Sequence, residues 1–493
     1  MNIYTVFISK PNWEAGWPYV GFENEQVQAA TLERLKKSFP DIEFTGGEIV
    51  TKHEPAEVER IKREIKRADG LFVYAIGHYG DPAIVQAGEE FLQLGKLSIL
   101  ANYVYGGDHT FIKTYERIKG KALRVLPVSS TDFEDVEWAL QVMQALLRLK
   151  GKKVLVYAPD EIAFNLQGVM ELAAPDLACM SQKQVEYLMT IMGQISSEEE
   201  GSYLDLTGVD QAHQWRRDEE RYRKNMKEIF GLELVRRDPQ EISTCYEKVS
   251  EQRAEEIAER WIREAKKVES THQAIINAAR LYLAIKGLAE EIDAISVTPD
   301  CGTLLIAGYL PAFPCLAFSQ LLNDGFTATC ESDLDSNISA LLGRSLFGRP
   351  GFVSNHCLDL AHNQVIYLHC LASNKLYGPE GISVGYDIVH HGESHFIGAV
   401  PRVTFPAGED LTTIKVSMLE KKLALRHGKI IGQIVDEKGC ATKVLVESDA
   451  RKILENYDWM TFGWHRVSFV GDWRREFVAA ARLAGLEVVE EDK

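Results

Sequence analysis

Three carboxylates, Glu331, Asp333 and Asp335, fall in the run Phe326-Thr327-Ala328-Thr329-Cys330-Glu331-Ser332-Asp333-Leu334-Asp335, where an apolar β-type stretch gives way to a helical pattern. Open α/β sheets bind ligands at the carboxyl ends of their strands. Carboxylates placed there can hold a divalent cation or move protons. Plain helix capping uses the same residue types, because a side-chain oxygen and a negative charge both suit a helix N-terminus.

A second group is rich in imidazole: Ser354-Asn355-His356-Cys357-Leu358-Asp359, then His362, then Tyr367-Leu368-His369-Cys370. A third is Gly463-Trp464-His465-Arg466, just ahead of Gly471-Asp472. Imidazole together with carboxylate suits Mn, Fe, Co or Zn. The spacings are not the i, i+4 of a helical metal site, so any such site must be assembled from separate strands. The stretch 389–395, with His390, His391 and His395, lacks an H-E-x-x-H order and reads as a surface loop. Tyr105-Gly106-Gly107-Asp108-His109 follows a strand but matches neither G-x-G-x-x-G nor a phosphate loop, so nucleotide binding has no support. No nucleophile elbow is present for Cys-His-Asp catalysis.

The elements that must position these groups can be read from periodicity. Strands are expected at 3–8, 71–76, 97–103 and 123–128, alternating with helices at 24–39, 55–68 and 133–149. That alternation predicts a parallel, doubly wound sheet. A strand at 154–157 opens a second α/β series, and 182–286 is mostly helical and heavily charged. Strands at 295–298 and 326–330 then alternate with helices at 311–322 and 335–347. After Pro350 the pattern changes to short strands at 364–370, 382–389, 396–405, 412–419, 429–434 and 442–446, which predicts a β-barrel or sandwich. A β-α-β-like tail covers 466–489. The expected fold class is therefore α/β: two consecutive Rossmann-like domains, 1–150 and 151–349, followed by a mostly β, barrel-like domain at 350–493.

Composition narrows the function classes. The chain has 493 residues, 45% hydrophobic and 26% charged, as a soluble globular protein of several domains would. Lys and Arg number 55 against 72 Asp and Glu, a net charge of −17. Such a surplus argues against gripping nucleic acid or anionic lipid, which require clustered Lys and Arg. None of the 8 cysteines forms a C-x-x-C pair, which removes zinc ribbons and thioredoxin-like motifs. Wide cysteine spacing and an N-terminus that reads as a strand, not a signal, lead us to expect a cytoplasmic protein. No apolar run approaches the ~20 residues of a membrane span. Of 13 histidines, 8 lie between His356 and His465.

Two α/β units in succession, a strand ending in T-x-E-x-D before a helix, then L-x-G-R-P, H-C, and a late G-x-H-x-V with a following G-D resemble the L-fucose/L-arabinose isomerase superfamily. The likeness is most specific from about residue 296 to 485, and Asn102 through His109 resembles a family segment beside the active site. The resemblance implies a metal-dependent aldose–ketose isomerase acting through an enediol on a free or C6-substituted monosaccharide. It implies Mn²⁺ or another divalent cation held by Glu331, His369 and His465. The second family carboxylate falls at Asn355, which can ligate through its carbonyl oxygen but cannot act as a base. Asp359 or His356 is the expected replacement, making Glu331 and Asp359 the expected catalytic carboxylates. Trp13, Trp17, His109, Trp464 and Arg466 are expected near the sugar, with Arg402 and Arg466 able to meet an anionic C6 group. Cys330 and Cys370 are expected to pack and not to ligate. The resemblance further implies a homo-oligomer, a hexamer in the family. A metal-dependent lyase or epimerase and a non-catalytic sugar-binding relative stay open as alternatives.

Overall fold

The computed structural model describes residues 1–12, 18–77, 82–159, 165–177, 179–197, 214–392, 397–436 and 438–493. It divides into two compact units, one of residues 1–149 with 476–487, the other of residues 150–475 with 488–493.

The first unit is built on five parallel strands, β1 (Asn2–Ile8), β2 (Glu43–Val50), β3 (Gly70–Ala75), β4 (Leu97–Tyr103) and β5 (Val125–Ser130), in the order β2-β1-β3-β4-β5. Every residue of β3 is buried, as expected of a central parallel strand covered on both faces. The helix Pro55–Arg67 shows how the covering layer forms. Val58, Ile61 and Ile65 recur at helical spacing and bury one stripe, while the remaining positions are largely charged. The sequence reading omits β2 because Gly46, Gly47 and flanking polar residues erase its alternation; only two of its eight residues are buried.

The second unit begins with four parallel strands, β6 (Lys153–Tyr157), β7 (Glu233–Arg237), β8 (Ala294–Pro299) and β9 (Thr327–Ala328), ordered β7-β6-β8-β9. Antiparallel strands follow: β10 (Phe352–Asp359), β11 (Gln364–His369), the ribbon β12 (Tyr386–Val389) with β13 (Val400–Val403), then β14 (Asp410–Ser417), β15 (Lys422–Gln433), β16 (Thr442–Glu447) and β17 (Arg466–Val470). The order β14-β17-β10-β11-β16-β15, with β15 returning to β14, closes six of them into a barrel. Closure leaves no free edge among these six and fixes which residues face inward. The α/β-then-barrel reading is thus the observed architecture. One apolar core joins the parallel sheet to the barrel, with Leu155, Val297 and Ala328 packed in the same cluster as Val365, Tyr367 and Val444.

Strands of the second unit also differ from the sequence reading: β7 lies inside the stretch 182–286 read as mostly helical, and β10 and β15 differ for reasons the structure shows. β10 occupies 352–359, a stretch absent from the strands expected by periodicity, because its polar residues Ser354 and His356 are buried where an apolar side chain would be expected. β15 starts seven residues ahead of the expected 429, since Arg426, His427 and Gly428 interrupt its apolar pattern.

The helix Leu334–Phe347 ties the two layers, since it follows β9 and lies against β17 through Gly343. A Cβ on Gly343 would sit 2.4 Å from the Phe469 ring. Gly343→Ala is expected to lower stability by about 1–3 kcal/mol, the usual cost of overpacking, in urea unfolding. An unchanged midpoint would show that the helix does not need this close approach.

Candidate metal centre

The parallel sheet delivers the first group. Thr329 N donates to Val297 O (3.1 Å) and Ser332 N to Pro299 O (2.8 Å), so the chain after β9 stays tied to β8. Glu331 and Ser332 then both take left-handed backbone angles, φ 63° and 47°. Left-handed non-glycine residues cost of order 1–3 kcal/mol each and persist only when the surroundings over-determine them. Here the buried indole of Trp215 donates to Ser332 O at 2.9 Å. Asp333 ends the reversal by capping the helix Leu334–Phe347, accepting from Ser336 N at 2.9 Å.

The barrel delivers the histidines. His369 is the last residue of β11. His465 directly precedes β17 and follows Gly463, whose φ of 62° and ψ of −158° belong to a region open essentially only to glycine. Arg466 holds that turn from within. Its Nη1 donates to the carbonyls of Gly463 (3.0 Å) and His465 (2.9 Å), and its Nη2 pairs with Glu491 at 2.6 Å.

These elements bring Glu331, His369 and His465 together, with one potential ligand atom from each lying within 4.8 Å of the others. His369 Nε2 is 3.6 Å from Glu331 Oε1, and His465 Nε2 is 3.5 Å from Glu331 Oε2. His465 Nδ1 lies 2.9 Å from Asp333 Oδ2, which also accepts from Lys415 Nζ at 2.6 Å. An ionised carboxylate only accepts, so His465 donates its Nδ1–H to Asp333 and turns Nε2 toward Glu331. That Nε2 is buried and has no hydrogen-bond partner among the described residues. A carboxylate behind the imidazole and an unengaged nitrogen in front is the arrangement of a metal-ligating histidine. Two imidazoles and one carboxylate form a donor set for a divalent transition metal. The residues therefore fit a cation.

The electrostatics agree. Burial works to raise the Asp333 carboxyl, but Lys415 and His465 hold it well below the usual carboxylate range. Burial likewise opposes ionisation of Glu331, and His465 and His369 overcome it, bringing the group down to about 2. Burial would depress His369, yet its contact with Glu331 raises it. Asp335 differs: burial pushes it up to about 6, and it receives hydrogen bonds from Tyr222 Oη (2.9 Å) and Met418 N (3.2 Å). The three carboxylates of the junction thus divide into a potential ligand, an orienting cap and an anchor.

The other expected residues are placed as follows. Asn355 pairs with Leu368, next to His369, and follows Ser354, which pairs with Arg466, next to His465. Its backbone thus lies one residue from both histidines. Asp359 pairs with Gln364 at the opposite end of β11 from His369. Five residues at ~3.3 Å each separate them. Its carboxylate is engaged by the His362 ring (2.7 Å), Gln364 (3.1 Å) and the turn amides, so the structure does not bring it to Glu331. His356 is buried, and burial with Arg426 and Arg466 nearby keeps it neutral. Trp464 donates its indole N–H to His356 O (2.9 Å) and leaves 37% of the residue exposed. Arg466 is 0% exposed, which makes it a support for the His465 turn and removes it from contact with a substrate. Arg402 is matched by Asp387 (2.8 Å) and Glu269 (3.5 Å). Cys330 and Cys370 are buried free thiols. His391 stacks on Phe313, whereas His395, Trp13 and Trp17 lie outside the described residues. Lys415 is the group that sequence reasoning missed; its signal is a single Lys inside the apolar, β-branched run of β14.

In the first unit, Asn102 Nδ2 donates to Asp108 (2.9 Å) and Ser129 (2.9 Å). Gly107 passes so close to β3 that a Cβ there would meet Ala75 O at 2.0 Å. His109 lines a concavity of about 350 Å³ with Pro82, Val85, Lys113 and Arg117.

No family model matches the chain. It is 27% identical over 281 residues to proteins named sulfoquinovose isomerase from Priestia aryabhattai and Priestia megaterium, covering 54% of this chain and 59% of each of theirs. A sulfoquinovose isomerase from Clostridium sp. is 28% identical over 219 residues, 42% of this chain and 46% of that one. The chain thus spans about half the length of the curated relatives it matches. No helix among the described residues is long and apolar enough to cross a membrane.

Asp333→Asn removes the charge facing both Lys415 and His465. Metal affinity, measured by competition with a chelating dye, is expected to fall about 10–100-fold. Stability is expected to drop by about 3–5 kcal/mol, because a buried ammonium loses its partner. Unchanged affinity would show that Asp333 only caps its helix.

Proposed function

We propose that this chain is a metal-dependent aldose–ketose isomerase of the fucose/arabinose isomerase kind, and that its substrate is a monosaccharide with an anionic C6 substituent, sulfoquinovose being the first to test. The observation that carries the reading is the partly open Glu331 carboxylate, 37% exposed, set between two buried imidazoles one of which presents an unengaged nitrogen. The names of the relatives supply the substrate class.

Glu331, His369 and His465 would hold the cation, with Asn355 beside them as a fourth ligand through its amide oxygen. A divalent cation there, Mn²⁺ in this reading, supplies Lewis acidity for the two sugar oxygens on which charge develops. Glu331 takes the proton from C2 of the open-chain aldose while the C1=O electrons move onto O1, which gives the enediol. Transfer of the O2 proton to O1 and return of the abstracted proton to C1 then give the ketose with no net change in atoms. Asp333 cannot share this work, because Lys415, Ser336 and His465 already occupy it. Asp359 is held in its own turn, so the proton passes through Glu331 alone. Trp464, tethered by its N–H, offers a ring face to the sugar. The C6 group lies away from the reacting carbons and serves recognition only.

Glu331→Gln is expected to lower turnover of sulfoquinovose by at least about 10³-fold with the thermal midpoint preserved. In D₂O the wild-type protein with Mn²⁺ should place deuterium at C2 of the aldose and C1 of the ketose. Full activity in Glu331→Gln would remove Glu331 from the mechanism. Sugar binding without exchange would favour a non-catalytic relative, and exchange without ketose formation an epimerase.

Dialysis against EDTA should abolish interconversion and stoichiometric Mn²⁺ should restore it. Activity that survives complete metal removal, checked by elemental analysis, would sink the Lewis-acid role.

A further inference from the structure

The barrel's inward face is polar and cationic to a degree its packing does not explain. Directly paired residues of antiparallel strands share a face. Ser354 pairs with Arg466, and His356, two residues along β10, pairs with Tyr367. Ser468 pairs with Thr413, and Thr413 pairs with Arg426. Ser354, His356, Tyr367, Arg426 and Arg466 therefore all face one way, and each is almost fully buried.

Their polar atoms are not satisfied. Arg426 is 1% exposed, yet Nε, Nη1 and Nη2 all lack a hydrogen-bond partner. Ser354 Oγ and His356 Nδ1 are in the same state. The nearest acid to Arg426 is Glu491, at 3.6 Å, and Glu491 is already bound by Arg466 through contacts of 2.6 and 3.2 Å. Lys415, on the same face, is neutralised by Asp333. Three cations, Arg426, Arg466 and Lys415, are thus met within ion-pair distance by two carboxylates, Glu491 and Asp333. A buried charge without a partner is costly, and so is each buried donor left unmade.

We propose that the barrel interior is an anion site, in which the guanidinium of Arg426 and the hydroxyl of Ser354 hold a chloride-sized monovalent ion. The ion would offset the charge of Arg426 and accept from one edge of its guanidinium and from the Ser354 hydroxyl. Its packing around Arg426 already includes the Tyr367 ring, 5.2 Å from the guanidinium carbon. A monatomic ion suits an interior crowded by two arginines and aromatic rings better than an oxyanion. The anion site does not depend on the proposed isomerase activity.

The full-length protein should be unfolded thermally in sodium chloride and in sodium gluconate at equal ionic strength. Between 1 and 100 mM chloride the midpoint should rise by about 3 °C relative to gluconate, as linkage requires of an ion bound only by the folded state. Arg426→Met, which keeps the side chain's bulk, should lose that response. Crystals grown in bromide should show an anomalous peak within hydrogen-bond reach of Arg426. Identical midpoints in the two salts, an equal chloride response in Arg426→Met, or water in place of a bromide peak would each overturn the proposal.

Discussion

Asp333 is the constraint on which the second unit's site depends. One of its carboxylate oxygens caps the helix Leu334–Phe347, while the other meets Lys415 from β14 and His465 from the turn before β17. The parallel sheet, the connecting helix and the barrel are therefore joined at one buried ion pair. Such pairs contribute little net stability compared with apolar residues of the same size. Their value here is geometric, because Lys415 keeps Asp333 ionised and ionised Asp333 fixes the tautomer and ring plane of His465.

The backbone around this point is built to the same end. β9 is only two residues long because the chain must turn sharply at Glu331 and Ser332 to present one carboxylate outward and the next inward. On the barrel side, Gly463 takes a backbone conformation open essentially only to glycine, and Arg466 clamps the carbonyls of Gly463 and His465. Strain on the sheet side and a glycine turn on the barrel side meet across the imidazoles. Neither feature serves the core packing of its own element, which is the usual mark of a site imposed on a scaffold.

Much of this was legible from residue order. The α/β alternation, the change to short strands after Pro350 and the carboxylate junction at 331–335 follow from periodicity and charge alone. Glu331, His369 and His465 were nominated by resemblance, and the structure brings those three together. What was not legible is instructive. Asp359 stands beside His356 in sequence, but a strand carries it to the far end of the hairpin, so proximity along the chain misled. Arg466 neighbours His465 yet points into the barrel, since adjacent residues of a strand face opposite sides. The role of Lys415 needed the strand register, for a lone Lys in a β-run has no meaning until its partner is known.

Arg466 also links the two polar regions of the barrel unit. At one end it is bonded to the carbonyl of His465, and at the other it claims both oxygens of Glu491, leaving Arg426 without a hydrogen-bonded acid. The turn that orients the candidate ligand is thus held by the same group that unbalances the barrel interior. Releasing Glu491 to Arg426 would restore a neutral pair there but would loosen the His465 turn. An interior of two arginines and one glutamate is consistent with a fold that has kept the rigid turn and leaves the remaining charge to be balanced by something smaller than a side chain.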